Sequence, residues 1–271
     1  MKVGTSTRIS QLFDDARQSG RKPFIAYITG GDPSPEHTVA LVLALEKGGA
    51  GLIELGVPFS DPIADGPVIQ RASERALAAG TKLGGLLESV REIRRRSEIP
   101  LLLFSYMNPL LRYGFKRLGR DAANAGVDGV LMTDLCVEEA EEPVQQLRAN
   151  GLDTVFLAAP TSTDARLRLI AQHSSGFVYL VSRAGVTGEQ VSLSAAAAPL
   201  TRRMRAITDL PLALGFGIST PAQVAEVAAL ADGIVVGSAI VKCIEQNAAA
   251  PDLVQRLENF TRSLTAPLHR S

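Results

Sequence analysis

Short runs of valine, isoleucine and leucine recur along the chain, each followed by a segment with helical spacing, and this alternation limits the fold more than any other feature. The runs are PFIAYIT from Pro23, GLIELG from Gly51, PLLLFSY from Pro100, DGVLMTD from Asp128, DTVFLAAP from Asp153, GFVYLVS from Gly176, PLALGFG from Pro211 and DGIVVGS from Asp232. Each is continuously apolar, as expected of parallel strands covered on both faces. Between them, segments 37–48, 67–79, 83–97, 138–150, 164–173 and 221–230 place apolar residues at i, i+3, i+4. Further helices are expected over 9–18 and 252–264, and Gly48, Gly80, Gly126 and Gly151 stand near helix ends. About eight β/α units in 271 residues, uninterrupted by any linker, predict an α/β fold: one (β/α)8 TIM barrel domain over 1–271, with an extra N-terminal helix and extra loop helices. The alternative is an open doubly wound sheet. It is disfavoured because GGDPSP follows the first strand where a dinucleotide-binding fold carries G-x-G-x-x-G.

Composition removes several classes of function. Twenty-eight Lys+Arg balance 28 Asp+Glu, so the basic excess of a nucleic-acid binder is missing, and 46% hydrophobic residues are too many for a disordered chain. Cys136 and Cys243 lie far apart, which supports neither a disulfide framework nor a thiolate metal site. The opening MKVGTSTRIS is polar and no apolar stretch approaches 18 residues, so a cytoplasmic protein with no membrane segment is expected. His37, His173 and His269 are isolated and none is expected at a strand's C-terminal end, which predicts no metal site. No lysine stands where a Schiff base would need one.

In such a barrel the chemistry belongs to the loops after the strands. The second strand ends in Glu54, and Asp65 follows eleven residues later on the Pro-bounded loop GVPFSDPIADGP. A carboxylate at the tip of a buried strand is partly desolvated, which raises its pKa and makes it a usable general acid and base. After the last three strands come Gly185-Val186-Thr187-Gly188, Gly215-Phe216-Gly217 and Gly237-Ser238. Free backbone N–H groups there, together with a helix N-terminus, make a phosphate site that needs no basic side chain. Phe24, Tyr106, Leu131, Tyr179 and Phe216 are expected to wall a pocket for a flat apolar group. The run Arg94-Arg95-Arg96 is expected to end a helix facing solvent.

The segment GLIELGVPFSDPIADGPVIQRA from Gly51 resembles the signature of the tryptophan synthase alpha subunit family, as do FIAYITGGDPS, SYMNPLLRYG, GFVYLVSRAGVTG, GFGIS and DGIVVGSAIV, in order along nearly the whole chain. The resemblance implies cleavage of indole-3-glycerol phosphate to indole and glyceraldehyde 3-phosphate. Indole would then pass to a beta subunit that carries pyridoxal phosphate, within an alpha2-beta2 heterotetramer, this chain needing no cofactor. It implies Glu54 as acid and base, Asp65 on the indole N–H, Ile69 and Tyr179 lining the indole pocket, and Thr187 closing over Asp65. Gly188, Gly217, Gly237 and Ser238 would cradle phosphate, and Asp61 and Asn108 would communicate with the partner. The family commonly has proline where Cys136 stands, so a local change in loop stiffness is expected there. A stand-alone lyase releasing free indole, a catalytically reduced activating subunit, and a phosphate-binding barrel acting on another heterocycle are the alternatives.

Overall fold

The computed structural model describes residues 7–181, 193–215 and 217–269. Among them, β1 (Phe24–Thr29), β2 (Leu52–Gly56), β3 (Leu101–Ser105), β4 (Gly129–Met132), β5 (Asp153–Val155), β6 (Leu157–Ala158), β7 (Val178–Val181), β8 (Leu212–Gly215) and β9 (Gly233–Val236) form one parallel sheet in the order β5-β4-β3-β2-β1-β9-β8-β7-β6. β5 and β6 are halves of the fifth predicted run, parted only at Phe156. The two ends of that order are therefore joined by the chain itself, and the barrel is nearly closed. The Phe156 carbonyl bridges the break by accepting from the Tyr179 N–H at 3.1 Å. All eight runs read from the sequence are barrel strands.

The helices are α1 (Arg8–Ser19), α2 (His37–Lys47), α3 (Pro67–Ala78), α4 (Leu83–Arg94), α5 (Met107–Tyr113), α6 (Phe115–Ala125), α7 (Glu141–Arg148), α8 (Asp164–His173), α9 (Leu193–Arg205), α10 (Pro221–Ala228), α11 (Ser238–Asn247) and α12 (Leu253–Thr265). Four of them, α5, α6, α9 and α11, have no counterpart in the segments read from apolar spacing, although a helix start is expected at Ser238. Gly114, at φ 87°, breaks 107–125 into two helices, and α9 carries Pro199 within it, a residue that argues against a helix interior.

Strand residues alternate between two cores. Phe24, Ala26, Ile28, Ile53, Leu55, Leu101 and Leu103 face outward and pack on helical residues such as Leu41, Leu45, Leu86 and Val90. Ile25, Leu52, Leu102, Leu131, Val155, Phe177, Ala213 and Val235 fill the interior. Phe24, expected in the pocket, belongs to the outer layer: it shares β1 with Tyr27 three positions on, so the two point to opposite faces. α1 closes the floor. Thr7 caps it by accepting from the Ser10 N–H, and Ile9 and Phe13 join the interior cluster, with the Phe13 and Phe177 rings 5.5 Å apart. With the floor sealed, only the end where the strands terminate is open to a ligand.

The arginine run divides. Arg95 and Arg96 pair with Glu92 on the surface, as a solvent-facing helix end should. Arg94 does not follow that expectation. It turns inward, donating to Asp128 at 2.8 Å and to the carbonyls of Gly126 and Ile99 at 2.8 and 2.7 Å. Asp128 also accepts from Arg8 and from the Leu101 N–H, and its side chain is 4% exposed. Removing one partner of a buried ion pair leaves a charge without compensation. Arg94→Met is therefore expected to cost ~3 kcal/mol in urea-induced unfolding. A loss within the ordinary surface range of about 0.5 kcal/mol would show that Arg8 alone suffices.

Candidate active site

Parity along the strands assembles the site. Tyr27 of β1, Glu54 of β2 and Leu102 of β3 are in register and all point inward, and the next inward positions are Gly56 and Phe104. Leu131 lies in register with Phe104. Tyr179 of β7 comes from the opposite side of the barrel. Glycines make room for both tyrosines: a Cβ on Gly56 would collide with the Tyr27 hydroxyl, and one on Gly215 with the Tyr179 hydroxyl. Tyr27 packs edge-on against Phe104 at 5.1 Å, and Val68, Ile69 and Ala72 of α3 complete this wall with Val241.

Glu54 is 1% exposed and its Oε1 has no hydrogen-bond partner. Burial is the sole cause acting on its titration, and it pushes the carboxyl up to about 8. No salt bridge of Glu54 to a neighbouring strand forms among the described residues. Asp65 sits on the loop between β2 and α3, half-buried, and is raised to about 6 by burial, while a hydrogen bond from the Tyr106 hydroxyl works in the opposite direction. The same hydroxyl accepts from the Ala64 N–H at 2.9 Å, so one side chain holds the loop on both sides of its bend. Phe59 lies 5.3 Å from the Tyr106 ring. Near neutral pH the two carboxyls are thus in different states, Glu54 protonated and Asp65 ionised, the separation that acid and base roles require.

Across the mouth, β8 and β9 lead into the glycine turns. Gly217 is exposed at φ 70°, and Gly237 is the N-cap of α11, with Ser238 as its exposed first residue. The first N–H groups of a helix lack intrahelical partners and carry its positive end, so this turn can receive an anion. The Gly237 backbone borders Tyr27: a Cβ there would stand 3.4 Å from the Cβ of Tyr27. Asp61 and Asn108 lie exposed on the rim, Asp61 accepting from Ser60 at 2.6 Å. Thr187, Gly188 and Phe216 lie outside the described residues. Cys136 holds φ −63°, the value a proline ring would impose, and the neighbouring Asp134 accepts from the Met107 N–H at 2.6 Å at the start of α5.

Sequence reasoning missed Tyr27 and Phe104. The available signal was parity: Tyr27 lies an even number of residues from Ile25 and Thr29, but both faces of β1 are apolar, so nothing in the run distinguishes inside from outside.

The raised Glu54 has a thermodynamic consequence. An unfolded glutamate ionises near 4.5, whereas the folded one keeps its proton to about 8, so folding stability falls as pH rises through that window. Glu54→Gln removes the penalty. The variant is expected to gain ~5 kcal/mol on wild type between pH 4 and pH 9 in urea unfolding; a difference that stays flat with pH would contradict the burial of an uncompensated carboxyl.

Comparison with known proteins agrees with this geometry. Residues 13–268 match the family model described as tryptophan synthase alpha chain. The chain is 63% identical to the tryptophan synthase alpha chain of Solibacter usitatus, over 95% of this chain and 97% of that one, and 50% identical to that of Geotalea uraniireducens, over 96% and 97%. Among solved structures, tryptophan synthase subunit alpha from Legionella pneumophila superposes with a TM-score of 0.89 at 37% identity, covering 98% of this chain and 100% of that one. Tryptophan synthase from M. tuberculosis in its aminoacrylate-bound form gives 0.87 at 36%, covering 97% and 100%. A parallel barrel with two differently titrating carboxyls at its mouth, matched over almost its whole length by these relatives, belongs to the tryptophan synthase alpha chain family.

Proposed function

We propose that this chain is a lyase that cleaves indole-3-glycerol phosphate to indole and glyceraldehyde 3-phosphate by carboxylate acid–base chemistry, with no cofactor of its own. The observation that carries the reading is Glu54, a buried acid without a counter-charge, in the same mouth as an ionisable Asp65. Cleaving the bond between indole C3 and the glycerol chain requires a proton at C3, removal of the proton on the adjacent side-chain hydroxyl, and relief of the positive charge that the ring acquires meanwhile. Protonated Glu54 delivers the first proton and becomes a carboxylate. That carboxylate then takes the hydroxyl proton as the carbon–carbon bond breaks, which releases the aldehyde and restores the acid. Asp65, ionised, accepts the indole N–H and stabilises the cationic ring, and Tyr106 holds it in place.

Tyr27, Phe104, Leu131, Ile69 and Tyr179 supply the walls for the indole ring. The phosphate is assigned to Gly217, Gly237 and Ser238 at the start of α11, with Gly188 as a further contributor. The pairing with a pyridoxal-phosphate-dependent beta subunit in an alpha2-beta2 assembly is supported by apolar residues left open at the mouth, and a cytoplasmic location is proposed with it. Ile63 is 87% and Leu111 58% exposed, on the loop and helix that also carry Asp61 and Asn108. Exposed large apolar side chains grouped on one rim suit a partner surface.

Glu54→Gln is expected to abolish cleavage while leaving substrate binding intact; turnover within tenfold of wild type would reject its role. Asp65→Asn should lower kcat by about two to three orders of magnitude, the scale of losing one electrostatic stabiliser. Both are read from indole release by the chain alone and with a beta subunit added. An unchanged kcat in the asparagine variant would reduce the loop to a lid.

A further inference from the structure

Outside the reacting centre, a cluster of four charges ties three elements together. Asp32, in the loop after β1, has a side chain only 1% exposed and receives a two-pronged contact from Arg75 of α3, Nε to Oδ1 at 2.7 Å and Nη2 to Oδ2 at 2.9 Å. The remaining Nη1 of Arg75 donates to Glu245 of α11 at 2.9 Å. Glu245 receives a second fork from Arg71, one turn earlier on α3, at 2.7 and 2.9 Å. Two positive and two negative groups therefore close on each other, anchored at a buried carboxylate. Isolated surface pairs contribute little, but bidentate arginine–carboxylate contacts fix orientation as well as distance.

The two helices so joined carry the two halves of the site. α3 begins two residues after Asp65, and α11 begins at the Gly237 turn. The same two helices also meet through Ile69, Ala72 and Val241 against Tyr27. We propose that Asp32, Arg75, Glu245 and Arg71 are positioning residues that set the spacing between the half-site for the indole ring and the half-site for the phosphate. The inference rests on the function proposed above. A ligand held at both ends exceeds the affinity of its separate halves only when the two half-sites stand at the right separation, and a misplacement of ~1 Å can cost about 100-fold.

Glu245→Gln tests this, because it leaves the buried Asp32–Arg75 pair intact; Arg71→Gln, which removes only the outer fork, serves should the first variant not fold. Affinities are measured by calorimetry on the full chain for three probes: an indole joined to phosphate by a non-cleavable propyl chain, indole alone, and glycerol phosphate alone. The account expects the joined ligand to weaken about tenfold, with each half staying within twofold of wild type. KM for the substrate should rise in parallel, with kcat changing less than threefold. Equal loss for all three probes, or no loss for the joined one, would overturn the positioning role. Failure of the wild-type chain itself to bind the joined ligand would overturn the functional reading and this inference with it.

Discussion

A carboxyl group taken out of water within a parallel strand, with no cation to neutralise it, is the constraint on which the rest of this structure depends. Ionising a buried acid is costly unless a partner compensates, so the group stays neutral and its pKa climbs. Glu54 meets that condition because its neighbours in register are a tyrosine and a leucine, and because the next inward position, Gly56, is filled by the Tyr27 ring rather than by water or a basic side chain. Asp65, eleven residues later on a loop that Tyr106 grips, is less buried and ionises about two pH units sooner. The barrel supplies the difference in environment; the chemistry follows from it.

The same constraint explains how an anion can be held close by. A phosphate site built from lysine or arginine would place positive charge near Glu54, pull its pKa down and deprive the resting chain of its acid. Backbone N–H groups at the Gly237 turn and the dipole of α11 attract phosphate without a full positive charge. A chain with zero formal net charge can therefore bind a phosphorylated substrate, and in the proposed function part of its complement of 24 glycines would serve that purpose. The two arginines of α3 are already committed: Arg71 and Arg75 face Asp32 and Glu245, and Glu245 is drawn down to about 2 chiefly by Arg71. At the opposite end, α1 and the Asp128 cluster close the barrel, so water has one route to the site.

Much of this was legible from the residues. Continuous Val, Ile and Leu runs mark strands buried on both faces, and Glu54 stands out as the polar residue in one of them, although it is the third of five residues in β2 and not its tip. The same continuity conceals parity: Phe24 and Tyr27 belong to one run, yet one packs against helices and the other reaches the site, because an apolar residue fits either face. Arg94 was misread for a different reason. Its partners, Asp128 and the Gly126 carbonyl, stand at the entrance of β4, more than 30 residues on and beyond β3, and a long side chain that reaches across that gap leaves no local pattern. α5 and α6 are separated only by Gly114, and α6 repeats its apolar residues at Phe115, Leu118, Ala122 and Ala125, so this pair, which carries Asn108, had a legible helical pattern that the reading did not use.

The protonation state of Glu54 in the resting chain tests the central claim most directly. Carboxyl 13C chemical shifts of glutamate-labelled protein, with Glu54→Gln used to assign the resonance, follow that one group through a pH titration. The account predicts a neutral carboxyl at pH 7 that ionises near pH 8, while Asp65, labelled separately, is already ionised at pH 7. A Glu54 resonance that titrates near 4.5, the ordinary value for a glutamate, would show that the site keeps it hydrated or paired, and the acid–base scheme would fall with it.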